Sequence, residues 1–108
     1  PLEGAKRELR EEVGLAAGTW RQVLRAQLSN SVTDERAIGF IATDLTAVET
    51  DPDETEDLAV VRAPFNEALE AAISGHIQDM LTVAMLLRGY HMAREGALPA
   101  ALGRRMLS

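Results

Sequence analysis

The stretch Arg7-Glu8-Leu9-Arg10-Glu11-Glu12-Val13-Gly14-Leu15 concentrates the residue types in this chain that could do chemistry. On a helix, positions i, i+3 and i+4 project from one side, so Glu8, Glu11 and Glu12 would form one carboxylate cluster. Three close carboxylates repel one another, and a hard divalent cation gives a reason for that arrangement. Mg2+ prefers octahedral oxygen ligands, keeps several waters, and takes one or two carboxylates plus substrate phosphate oxygens. An ion held there can polarise a phosphoryl oxygen, lower the pKa of an attacking water and neutralise a leaving phosphate. Arg7 cannot bind a cation, but it can hydrogen-bond a glutamate and fix its rotamer. The competing reading is a solvated charged face, with Arg7 and Glu11 as an i,i+4 pair contributing about 0.2–0.5 kcal/mol. For a generic helix of this composition, that solvated face carries most of the weight.

The elements that must position these groups follow from local patterning. Pro1 to Val13 reads as a helix opened by proline, with Leu2, Ala5, Leu9 and Val13 on one face. Gly14 is the expected stop, because glycine takes the left-handed conformation without steric cost. Trp20 to Leu28 reads as a strand, Ser29 to Asp34 as a polar loop, and Arg36 to Thr43 as the clearest strand, through Ile38, Phe40 and Ile41. Glu49 to Asp57 is an acidic loop around Pro52, and Leu58 to Arg62 a short strand through Val60 and Val61. Pro64 opens a helix over Phe65–Ser74 that Gly75 caps. Asp79 is the expected N-cap of a last helix, whose core face uses Met80, Val83, Ala84, Leu87 and Tyr90. From Gly96, the Pro99, Gly103 and Arg104-Arg105 content predicts a weakly ordered or partner-bound tail over 95–108. Neither an internal repeat nor an interdomain linker is visible. The order of helix, three strands and two helices predicts an α/β (α+β) class, a sheet layered by helices, with fewer strands than the five or six usual in one sheet.

Bulk composition sets the limits. A chain of 108 residues with 46% hydrophobic and 26% charged residues suits one small globular domain. Net charge −6 argues against a nucleic-acid backbone or an anionic membrane as the main partner, and a phosphorylated substrate would need metal cations or local arginines. With no cysteine there is no disulfide, thiolate nucleophile or Cys-based zinc site. The start lacks a basic and apolar leader, and no apolar run approaches the ~20 residues that span a bilayer, so a soluble, cytoplasmic protein is expected. His76 and His91 have no metal-type spacing. Trp20 and the methionines read as packing residues, and Ser29, Ser31 and Ser74 lack a nucleophile context.

The nonapeptide resembles the second half of a Nudix box, G-x5-E-x7-R-E-U-x-E-E-x-G-U with U aliphatic. Its seven fixed positions would match by chance on the order of once in ten million start points, and a Glu-rich chain raises that only several-fold. The resemblance is nearest the ADP-ribose/nucleotide-sugar pyrophosphatase branch of the Nudix hydrolase superfamily, and it runs over residues 1–94. It implies an α/β/α sandwich with a mixed sheet whose first strands, with the upstream glycine and glutamate of the box, precede Pro1. On that basis the 108 residues as written are expected to be inactive, and poorly folded alone. It assigns metal ligation to Glu8 and Glu12, with Glu11 as a third ligand or orienting group, and Mg2+ or Mn2+ as the ion. The acidic Asp53-Glu54-Thr55-Glu56-Asp57-Leu58 looks like the loop that supplies the water-activating glutamate in this branch, with Glu56 and then Glu54 as candidates; an acidic turn that aids solubility is the competing reading.

Ser29 to Arg36 sits where the branch places a substrate loop, making Ser31, Asp34 and Glu35 candidate substrate contacts. Many ADP-ribose hydrolases carry a proline where this chain has Asn30 and Ser31, so the implied substrate class is the broader one of nucleoside diphosphates linked to a sugar or another group. The implied reaction is hydrolysis of the diphosphate bond by metal-activated water, releasing a nucleoside monophosphate. A homodimer is expected by analogy. The rival is a truncated, catalytically inactive Nudix scaffold acting through a protein partner. An RNA-decapping enzyme fits poorly, since no basic groove or aromatic-basic patch is visible.

Overall fold

A computed structural model describes residues 1–28, 35–49 and 60–108. The class is α+β, as the patterning implies. The chain divides into two compact units, Pro1–Val61 and Arg62–Ser108.

The first unit opens with α1 (Leu2–Glu8), which passes directly into a π-helical turn over Leu9–Val13. The sequence predicts one α-helix to Val13, and the turn departs from that in its last five residues. Gly14 ends it as expected, at φ 73° and ψ 31°, and its N–H is directed at the carbonyls of both Arg10 and Leu9. Two long strands follow, β1 (Leu15–Gln27) and β2 (Arg36–Ala47), paired antiparallel as a two-stranded sheet. Both extend beyond the predicted strands. Hydrogen bonding from Leu15↔Ala47 to Gln27↔Arg36 carries through positions such as Ala16, Ala17, Leu45 and Thr46, which have weak strand propensity of their own. The Val48 N–H donates to the Gly14 carbonyl at 3.0 Å, so the end of the sheet holds the C-terminus of the π turn.

The register shifts between Gln22 and Leu24, leaving Val23 as a bulge residue with only 5% exposure. One extra residue on one strand reverses which side chains share a face beyond it. Trp20↔Ala42 and Gln22↔Phe40 lie on one face before the bulge, and Arg25↔Ile38 and Gln27↔Arg36 join that same face after it. Trp20 meets Phe40 edge-on at 6.0 Å between centroids, and its indole N–H donates to the Ala17 carbonyl at 3.2 Å. Trp20 is thus a packing residue, as its type suggests.

No further strand is present among the described residues. Val60, Val61 and Arg62 of the short strand expected at 58–62 are irregular and exposed, and Leu58 and Ala59 lie outside the described residues. The sheet seen is therefore antiparallel rather than mixed.

The second unit is helical: α2 (Phe65–Ser74), α3 (Met80–Arg94) and α4 (Ala100–Leu107). The Pro64 opening and the Gly75 stop (φ 90°) match the sequence signals. The core is built from Leu69, Ala93, Leu98 and Met106. Met80 and Leu87, expected on the core face of α3, are 72% and 47% exposed, whereas Gly89 and Ala93 are buried. Small residues set this face because neighbours must approach α3 closely: a Cβ on Gly89 would meet Met106 Cε at 3.4 Å and the Phe65 ring at 3.7 Å.

The 95–108 stretch is correspondingly not a weakly ordered tail. Gly96 (φ 72°) closes α3 with paired bonds, Gly96 N–H to Ala93 O at 3.3 Å and Ala97 N–H to Met92 O at 2.9 Å. The reversal buries Leu98, and Gly103 and Met106 then face the other helices from α4. The boundary between units accordingly falls after Val61 and not at residue 94, because the last helix belongs to the helical core.

Asp79 caps α3 as expected, accepting from the Thr82 N–H at 2.9 Å and the Thr82 hydroxyl at 2.7 Å. The Thr82 hydroxyl first, and its N–H second, hold the Asp79 carboxyl below its ordinary value. A folded-state pKa below the unfolded one means the stabilisation is present above the unfolded value and is lost as pH falls through the folded one. Asp79→Ala is therefore expected to lower the melting temperature at neutral pH and to have little effect once the carboxyl is protonated. Thermal unfolding of both proteins across the acid range checks this; a pH-independent difference would remove the role of the ionised cap.

Candidate active site

The candidate site is built on the α1–π helix, which lies in the same unit as the hairpin. Glu8 ends α1, while Glu11 and Glu12 belong to the π turn. The Gly14 N–H reaches the Arg10 carbonyl at 3.0 Å as well as that of Leu9, so the turn mixes i→i−4 with wider bonding, and Glu8, Glu11 and Glu12 follow one another along it. Glu8 and Glu12 are open to solvent, and Glu11 is half-buried. Among the described residues no three His, Cys, Asp or Glu side chains are grouped to hold an ion.

The donor set still suits a hard cation. Two exposed carboxylates can hold a Mg2+ or Mn2+ that keeps most of its waters, and no histidine or cysteine competes for a softer metal. Glu8 and Glu12 are the residues that would hold such an ion.

Two concave regions flank the helix within this unit. One, of about 370 Å3, is lined by Lys6, Arg7, Arg10 and Trp20, with Glu3 at its edge. Glu3 partly neutralises it, pairing with Lys6 at 3.8 Å. Arg7 therefore faces a basic cleft. The other, of about 580 Å3, brings Glu8 into one cleft with Arg25, Arg36, Ile38 and Phe40.

The remaining candidates are placed as follows. Glu35 is exposed beside the first residue of β2, and its carbonyl accepts from the Leu28 N–H at 3.1 Å, closing the base of the hairpin. Ser31, Asp34, Glu54 and Glu56 lie outside the described residues. His76 Nδ1 lies 2.8 Å from the Ser74 hydroxyl at the exposed end of α2, a local contact with no acid partner shown, and His91 is exposed on α3. Arg25 and Arg36 were not singled out by the sequence. Plain alternation puts Arg25 on the side of Arg21, and only the bulge moves it to the side of the helix and Glu8.

No family model matches the chain. It is 32% identical over 101 residues to a protein named ADP-ribose pyrophosphatase from Mycobacterium tuberculosis (strain ATCC 25618 / H37Rv), an alignment covering 91% of this chain and 48% of that relative. The chain thus spans about half the length of the curated relative it matches. The similarity extends well beyond the nonapeptide, through the hairpin and the helical unit. No helix among the described residues is long and apolar enough to cross a membrane.

Proposed function

We propose that this chain serves metal-dependent hydrolysis of the diphosphate bond in a nucleoside diphosphate linked to a sugar or another group, releasing a nucleoside monophosphate. The observation that carries the reading is the exposure of Glu8 and Glu12 on a helix whose C-terminus is fixed by Gly14 and tied to the sheet. The likeness to a protein named ADP-ribose pyrophosphatase supports the diphosphate as the bond attacked. When bound, Mg2+ or Mn2+ would supply Lewis-acid polarisation of a phosphoryl oxygen and a more acidic water.

Within this reading, Glu8 and Glu12 hold the ion and Glu56 accepts a proton from the attacking water, with Glu54 as the second candidate. Glu11 serves as a third ligand or as an orienting group. Arg7 favours the anionic substrate through its cleft. Ser31, Asp34 and Glu35 contact the non-phosphate part of the substrate. A cytoplasmic homodimer is part of the same reading.

The test is an assay of the intact protein with Mg2+ on ADP-ribose and on nucleotide sugars, with products resolved chromatographically. Release of a nucleoside monophosphate supports the reading, and no turnover of any diphosphate overturns it. Glu56→Gln is expected to reduce kcat at least tenfold while leaving Mn2+ affinity within about twofold, because a base acts on the water and not chiefly on the ion. Glu54→Gln is the comparison. Equal, small effects from both would leave the acidic loop without a catalytic part.

A further inference from the structure

We propose that Arg25 and Arg36 form a two-arginine clamp for the phosphate oxygens of a diphosphate, in the cleft they share with Glu8. The inference rests on the hydrolase reading for the identity of the anion, but its evidence is the geometry of the hairpin. Arg25 pairs with Ile38 and Arg36 with Gln27, so the two arginines sit diagonally on adjacent strands and on one face. Diagonal neighbours on a sheet are about 7–8 Å apart, a spacing from which two long guanidinium groups can converge on neighbouring phosphoryl groups.

Both arginines are exposed, and neither is paired with a carboxylate among the described residues. They line a cleft of about 580 Å3, within the ~300–1,000 Å3 usual for small-molecule sites. Its apolar wall is Ile38 and Phe40, and its helix side carries Glu8. Two cations opposite one carboxylate favour a polyanion that reaches the arginines with one side and a Glu8-bound cation with the other. Without a cation, Glu8 repels the same anion. Anion affinity in this cleft is therefore coupled to the metal. In a chain of net charge −6, this local pair also offsets the general repulsion of phosphorylated ligands.

The experiment titrates the intact protein with imidodiphosphate, whose P–N–P bridge resists hydrolysis, by calorimetry with and without Mg2+. Mn2+ affinity is measured in parallel by electron paramagnetic resonance. The expected results are tighter binding with Mg2+, at least tenfold weaker binding in R25Q/R36Q, and Mn2+ affinity unchanged within about twofold. R21Q removes the same charge from the same strand, but on the opposite face, and is expected to bind nearly as the unsubstituted chain does. Circular dichroism verifies folding, and R25Q and R36Q singly provide the comparison if the double variant is unfolded. In hydrolysis, the clamp variants are expected to raise KM more than they lower kcat.

Equal weakening by R21Q and by the clamp variants, or none by either, would overturn the clamp. If the chain hydrolyses diphosphates but the clamp variants bind imidodiphosphate normally, the clamp alone fails. If it hydrolyses none but shows the expected binding pattern, the clamp stands and the hydrolase reading fails.

Discussion

Glu12→Gln is expected to lower kcat for diphosphate hydrolysis by at least a hundredfold while the protein still folds. Glu12 is exposed in the π turn and contributes its charge rather than its packing. Glutamine keeps the size but loses the anionic oxygen, so a cation between positions 8 and 12 loses half of its protein carboxylates. Removing one group that stabilises transition-state charge typically costs ~2.7–4 kcal/mol, which is two to three orders of magnitude in rate. The change is expected in kcat, accompanied by weaker Mn2+ affinity. Glu11→Gln is expected to do less, because Glu11 is half-buried where Glu12 is open to solvent. Steady-state kinetics and Mn2+ titration of the two variants provide the comparison. Near-normal turnover by Glu12→Gln would remove Glu12 from the ligand set, and a larger loss from Glu11→Gln would make Glu11 a ligand rather than an orienting group.

The second large effect is on the metal itself. Excess EDTA is expected to abolish hydrolysis and Mg2+ or Mn2+ to restore it, because the exposed acidic pair has no histidine or cysteine that would retain a softer ion. Two carboxylates on one helix bind a hard ion reversibly, so chelation should act within the mixing time and readdition should recover full activity. Turnover that survives excess EDTA would exclude this mechanism. Slow, incomplete recovery would indicate an ion with a structural part, which two exposed carboxylates do not account for.

Local rules located most of the helical signals. Gly14 and Gly75 end their helices in the left-handed region, and Asp79 caps α3, because each depends on one residue and its immediate neighbours. Both hairpin strands were legible at their centres, around Trp20–Leu24 and Ile38–Ile41, where side chains favour a half-buried sheet. Their ends were not, since pairing with the opposite strand carries them through residues of weak propensity. The tail over 95–108 was misread because Pro99, Gly103 and Arg104-Arg105 look like loop material in isolation. Gly103 is in fact where α4 approaches α3, with a Cβ there 3.8 Å from the Ala93 carbonyl oxygen. The exposed Met80 and Leu87 were assigned to a core that uses Gly89 and Ala93, because hydrophobicity marks burial while close helix packing selects small residues.

The candidate site divides in the same way. The sequence by itself determined the acidic character of the first helix, its stop at Gly14 and the preference for a hard cation, since these follow from residue type and near spacing. Only the tertiary structure decided that the helix passes into a π-helical turn at Leu9 and that Glu8 and Glu12 are exposed while Glu11 is half-buried, because burial depends on what packs against the turn. Only the tertiary structure, likewise, put Arg25 and Arg36 beside Glu8. A one-residue bulge at Val23 reverses the face of every side chain beyond it, and whether a strand bulges depends on the register of its partner, which no local spacing records.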